Sequence, residues 1–298
     1  MSRTQQSSGT VAFIGLGAMG IPMAKRLVEK QFRVQGFDLN PQAREAHAAN
    51  GGIASASAVE AATGAEALVL MVVNATQARA ALVTSGALDA LGRDALVILM
   101  ATCAPVDAAA IAEMVRAAGK RFLDAPVSGG VVGAEAGTLT IMAGGDAGIF
   151  EAAKPYLAAM GDKLYHVGQN PGDGAMVKTI NQLLCGVHIA AAAEAFALGE
   201  KAGLDTELLL KILGQSAAAS WMINNRGPRM LEVEPQVTSA VDIFVKDLSL
   251  VLDAGRSSKV ALPLAAASHQ MFLAASGAGH GTADDSQVIR AYRALNGT

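Results

Sequence analysis

Cysteine is nearly absent from this chain. There are two in 298 residues, Cys103 and Cys185, far apart and without paired spacing. That argues against a disulfide framework and a zinc site, and fits a reducing compartment such as the cytoplasm. The methionines are dispersed gap-fillers rather than a metal array, so no metal is expected. Charge is also scarce, at 16% of residues with a net charge of -3, and no basic stripe or acidic tail occurs. Composition therefore gives no case for nucleic acid or a membrane surface as a partner. The first nine residues, MSRTQQSSG, lack the apolar stretch of a signal peptide and are expected to form a loose tail. The most apolar region, 183–199, is alanine-rich and interrupted by His188 and Glu194. It reads as a buried core helix rather than a membrane span.

Hydrophobic residues are plentiful, at 52%, which is ample for one large core or two ordinary ones. TVAFIGLG reads as a strand, AMGIPMAKRLVEKQ as a helix and RVQGFD as a strand, a βαβ unit. Strand and helix patterns keep alternating through EALVLMVV, ATQARAALV, DALVILMAT, PVDAAAIAEMVRAAG, RFLDAPV, GTLTIMAGG, AGIFEAAKPYLAAM and KLYHVG. Such alternation predicts a mostly parallel sheet with helices on both faces. After the polar break QNPGDG, strand patterns almost vanish. Helices are expected over 175–202, 207–215, 241–257, 262–275 and 284–295. The expected organisation is α/β, with an N-terminal Rossmann dinucleotide-binding domain over 10–168 and an all-α C-terminal domain over 169–298. So many alanine-rich helices would leave a large apolar patch on a monomer, so a homodimer or homotetramer is expected.

GLGAMG places Gly15, Gly17 and Gly20 in the G-x-G-x-x-G spacing, with Met19 in the same loop. The motif follows a strand and opens a helix, the context that gives it meaning. Gly15 permits the tight turn, Gly17 the approach of a pyrophosphate, and Gly20 close helix–strand packing. Asp38 ends the second strand, placed to accept hydrogen bonds from ribose hydroxyls and to repel a 2′-phosphate. No arginine follows it directly. Arg44 lies six residues on, along the next helix. NAD is therefore the expected cofactor. Ser128, Gly129 and Gly130 sit at a strand end, where such sheets place ligands, and could hold a carboxylate. A turn carrying a serine cap explains them equally well from spacing alone. Lys178, in GDGAMVKTINQLL, stands at the start of an apolar helix. A lysine taken blind is usually a solvated surface residue.

FIGLGAMG, DAPVSGG with GTLTIMAGG, and GDGAMVKTINQ together resemble the β-hydroxyacid dehydrogenase family, the 3-hydroxyisobutyrate dehydrogenases among them. The likeness runs from about Val11 to the C-terminus in order and spacing. MVVNATQARAAL, QLLCGVHIAAAAEAFAL, SAVDIFVKDLSLV and DDSQVI are similar to the branch that oxidises L-threonate. The resemblance implies a substrate cleft between two domains, a catalytic lysine at Lys178, and substrate binding by Ser128, Gly129 and Gly130. It carries cofactor contacts over to Asn74, Thr102 and Lys246. Two positions depart from the family pattern. Gln182 stands where asparagine is common, with Asn181 one place earlier, and Ala101 stands where serine or threonine is common.

Oxidising a hydroxy acid sends a hydride to the nicotinamide and a proton to a side chain. A lysine can take that proton if desolvation and nearby positive charge bring its pKa to roughly 7–8. Asn181 and Gln182, at i+3 and i+4 from Lys178, share its helix face and could hold the substrate. The expected substrate is a small hydroxy acid, L-threonate oxidised at C2. Alternatives are 3-hydroxyisobutyrate, tartronate semialdehyde or succinic semialdehyde. A dinucleotide-binding sensor is the non-enzyme rival, disfavoured because a sensor has no need of Lys178.

Overall fold

The computed structural model describes residues 8–297. Most of the expected N-terminal tail lies outside the described residues, while Ser8 and Gly9 already belong to the first strand. The chain divides into two compact units, one ending at Lys178 and the other beginning at Thr179.

The first unit begins β1 (Ser8–Ile14), α1 (Gly20–Glu29), β2 (Phe32–Phe37), α2 (Pro41–Ala49), β3 (Ile53–Ala54) and α3 (Ala58–Ala62). It continues β4 (Ala67–Leu70), α4 (Ala75–Arg79), α5 (Ala87–Ala90), β5 (Leu96–Leu99), α6 (Pro105–Ala117) and β6 (Arg121–Asp124). Then come β7 (Val127–Ser128), α7 (Gly130–Ala136), β8 (Thr140–Gly144), α8 (Ala147–Met160) and β9 (Lys163–Gly168). The strands form one sheet of order β3-β2-β1-β4-β5-β6-β8-β7, with β9 paired to β8. Pairing is parallel from β3 through β6, and β8 runs antiparallel to both β6 and β7. The first six strands thus have the 3-2-1-4-5-6 order of a Rossmann sheet. β4 (ALVL) and β5 (LVIL) are buried along their whole length, as unbroken apolar strands must be when helices cover both faces. On one face α1 and α8 contribute Met23, Leu27, Phe150 and Leu157 to the core. On the other, α3, α4 and α6 contribute Ala61, Ala78 and Ile111.

The long helix α9 (Asp173–Lys201) crosses from one unit to the other. At 29 residues it is about 43 Å long. Its length and hydropathy would suffice to cross a membrane, but 56% of the apolar window is buried inside the protein, as in a core helix. The second unit continues with α10 (Thr206–Leu213), α11 (Trp221–Leu231), α12 (Val241–Ser258), α13 (Pro263–Ala275) and α14 (Ile289–Asn296). Its core joins Ile189 and Phe196 of α9 to Met230, Phe244, Leu248 and Phe272. The helix expected over 284–295 starts instead as a 3-10 turn, with Asp284 capping the Ser286 N–H.

Asp284 and Asp285 do more than begin that segment. Arg226 of α11 donates two hydrogen bonds to buried Asp285, at 2.9 and 2.8 Å, and Arg229 stands 3.2 Å from Asp284. A buried pair is costly to break, because the remaining partner keeps an uncompensated charge. Asp285→Ala should therefore lower the free energy of urea unfolding by about 3–5 kcal/mol. A loss under about 1 kcal/mol would show that water reaches Arg226.

Candidate active site

The turn between β1 and α1 is built by its glycines. Gly15 has φ +98°, and an added Cβ would lie 2.3 Å from the Met71 carbonyl oxygen. A Cβ on Gly20 would lie 1.9 Å from the Gly15 carbonyl, so helix and strand could not close up. A Cβ on Gly17 would meet no atom within 4 Å, so the protein leaves open space there. Met19 is the N-cap residue of α1 and provides no side-chain cap. The Ile21 N–H is taken by the Gly17 carbonyl at 3.1 Å, and no side chain of the N-cap residue occupies the helix start, where anions bind favourably. The turn also stands where the sheet order switches, with β2 on one side of β1 and β4 on the other. These features fit a dinucleotide pyrophosphate.

Asp38 follows β2 directly. Its Oδ2 accepts the Leu16 N–H at 2.8 Å and its Oδ1 accepts the Asn40 N–H at 2.8 Å. The carboxylate is thereby fixed beside the glycine turn. Arg44 folds back to donate to the Asp38 carbonyl at 2.6 Å and lies over the Phe37 ring, 5.8 Å from its centroid. The structure therefore brings the guanidinium nearer to Asp38 than sequence spacing suggests. Asn74 caps α4, accepting the Gln77 N–H at 2.9 Å, and Thr102 follows β5, half-buried.

Ser128 ends β7, and Gly129 and Gly130 lead into α7. Lys178 lies in the second turn of α9 and is 7% exposed, so the surface-lysine reading does not hold. The link between these two stretches is Asp124, a residue that carried no part in the sequence reading. It ends β6 and is fully buried. Its Oδ2 accepts the N–H groups of Gly172 at 3.0 Å and Ala175 at 2.8 Å, at the start of α9.

In the second unit a buried carboxylate joins two residues that the sequence singled out. Gln182 donates to Oδ2 of Asp247 at 2.5 Å, and the Lys246 ammonium stands 2.6 Å from Oδ1. Asp247 thus orients the Gln182 amide. The signal for it lay in the pattern, since it interrupts the buried face of α12 between Phe244, Leu248 and Val251. Asp242, four residues before Lys246, accepts from the Ser276 hydroxyl at 2.6 Å. The Asn181 amide oxygen accepts from the Cys185 thiol at 3.8 Å. Among the described residues no group of three or more His, Cys, Asp or Glu side chains is placed to hold a metal.

Comparison with known proteins adds to this geometry. Residues 10–168 match the family described as the NAD binding domain of 6-phosphogluconate dehydrogenase. Residues 172–292 match the family described as NAD-binding of NADP-dependent 3-hydroxyisobutyrate dehydrogenase. An L-threonate dehydrogenase of Cupriavidus necator is 46% identical over 286 residues, covering 96% of each chain. The crystal structure of a 3-hydroxyisobutyrate dehydrogenase from Salmonella typhimurium superposes with a TM-score of 0.91 at 42% identity, over 95% of this chain and 99% of that one. A Mycobacterium tuberculosis 3-hydroxyisobutyrate dehydrogenase solved with L-serine gives 0.82 at 33% identity, over 96% and 99%.

The Asp124 carboxyl also sets a pH dependence. Burial pushes it up to about 7, against the lowering by the Ala175 and Gly172 N–H groups. An aspartate in the unfolded chain titrates near 4, so the folded protein holds this proton more tightly. Between about pH 4 and 7 this group therefore subtracts stability as pH rises. Asp124→Asn removes the titration. From pH 5 to 8, the unfolding free energy of the wild type should fall by on the order of 2–3 kcal/mol relative to that variant. A difference that stays constant with pH would contradict the assignment.

Proposed function

Because the chain belongs to the 3-hydroxyisobutyrate dehydrogenase family, we propose that it oxidises a small polyhydroxylated acid, L-threonate at C2 to the 2-oxo acid, with NAD as cofactor. The observation that carries the reading is the burial of Lys178 near the start of α9. The similarity to L-threonate dehydrogenases along nearly the whole chain supports the substrate. The scarcity of cysteine, two in 298 residues, supports a cytoplasmic setting.

The glycine turn, the start of α1 and Asp38 would hold the dinucleotide, with Asn74 and Thr102 nearby in the same unit. When bound, it supplies the acceptor for the hydride. The chain's own work is to manage the proton and the substrate. Nζ of Lys178 takes the hydroxyl proton during oxidation and returns it in the reverse direction. A buried amine suits this part, because loss of solvent disfavours the ammonium form and brings the base toward neutral pH. Ser128 and the N–H groups of Gly129 and Gly130 receive the substrate carboxylate. Gln182, one helical turn from Lys178, adds an amide whose orientation Asp247 fixes. Exposed Leu198, Leu208, Ile212 and Trp221 of the helical unit support a homodimer or homotetramer, and light scattering giving a monomeric mass at all concentrations would contradict it.

Hydroxy acids assayed in parallel with NAD and NADP should give the highest kcat/KM for L-threonate with NAD. Preference for 3-hydroxyisobutyrate would move the substrate without moving the chemistry. Lys178→Ala should lower turnover by about two to four orders of magnitude, and Lys178→Arg nearly as much, since guanidinium does not give up its proton near neutral pH. Retention of more than about a tenth of turnover with chemistry rate-limiting would remove Lys178 from the mechanism. Asp38→Ala should weaken NAD and relax the bias against NADP, with Arg44 close enough to favour a 2′-phosphate. Equal use of both cofactors by the wild type would refute the part given to Asp38.

A further inference from the structure

Asp124 is fully buried, yet the proposed chemistry does not use it. It ends β6, four residues before Ser128. Its Oδ2 holds the N–H groups of Gly172 and Ala175 across 48 and 51 residues of chain. Its Oδ1 has no hydrogen-bond partner among the described residues. The backbone of the same segment is seated closely. Gly172 takes φ +100°, and a Cβ on Gly174 would lie 2.4 Å from the Met142 carbonyl oxygen and 3.0 Å from that of Asp124. The first turn of α9 therefore rests on the ends of β6 and β8. Lys178 follows Ala175 by three residues, on the same side of the helix.

We propose that Asp124 is a positioning residue for Lys178: its carboxylate fixes where α9 begins against the strand that leads into Ser128, Gly129 and Gly130. The inference rests on the reading of Lys178 as the proton acceptor. The first N–H groups of a helix have no partner within it. Buried, they need an acceptor, and a helix that loses one relieves the orphaned groups by fraying or shifting. A shift of one residue translates a side chain by about 1.5 Å and turns it by about 100°. Misplacement of a reacting group by about 1 Å costs on the order of 100-fold in rate.

Four proteins decide the matter: Asp124→Ala, Asp124→Asn, Lys178→Ala and the Asp124→Ala/Lys178→Ala double variant. Asp124→Ala should lower kcat by on the order of 100-fold, with KM for NAD changed less than about threefold. Asp124→Asn should recover kcat to within about fivefold of wild type, because its amide oxygen can accept the same two N–H groups. In the Lys178→Ala background, Asp124→Ala should change the residual turnover by less than about threefold, since a group that acts through another has nothing left to lose. Losses that multiply in the double variant, an Asn variant as impaired as the Ala variant, or an Ala variant with kcat near wild type would each overturn the proposal. If Lys178→Ala alone kept most of the turnover, the reading of Lys178 would fail first, and this inference with it. Should Asp124→Ala not fold by circular dichroism, Asp124→Ser takes its place, polar but too short to reach both donors.

Discussion

An amine is costly to remove from water in its charged form, and Lys178 is buried. That one constraint orders the rest of the account. A lysine held out of water needs a helix start that does not fray, and α9 is fastened there by a carboxylate from the middle of the sheet. The glycines at 172 and 174 permit the backbone to come close enough for those bonds. The same sheet carries the glycine turn after β1 and the Ser128 stretch after β7. One sheet thus carries the glycine turn, the Ser128 stretch and, through Asp124, the start of α9.

Much of this was legible in the sequence because the constraints were local. The glycine turn and Asp38 lie within one βαβ unit, where spacing alone fixes geometry. The end of strand–helix alternation near residue 169 was equally plain, and α9 begins two residues before its expected start. What the sequence hid was carried by distant partners. Asp124 and Asp247 stood inside recognised stretches, but their partners lie 48 to 65 residues away. The helix α11 escaped notice because Asn224, Asn225, Gly227 and Pro228 are poor helix formers. Ser220 caps it, and Ile223 and Met230 bury its inner face, so tertiary packing overrides propensity. The short helix α7 was hidden within a glycine-rich stretch for the same reason.

The two acids show different uses of a buried carboxylate. Asp247 is neutralised by a direct ion pair with Lys246 while it orients Gln182. Asp124 has backbone N–H donors as its partners, and burial raises its pKa. Neither is given a part in the proton transfer: Asp124 binds the start of α9, and Asp247 binds Gln182. Selection among similar acids takes only a few kcal/mol spread over several contacts.

The central claim is that Lys178 is the group whose ionisation governs oxidation. The direct test compares the pH dependence of kcat for wild type and Lys178→Ala with saturating NAD and L-threonate. The account predicts a wild-type rate that rises with deprotonation of a single group and then levels, and a residual rate in the variant that lacks this limb. The same limb at the same pH in Lys178→Ala would show that another group titrates, and would contradict the account.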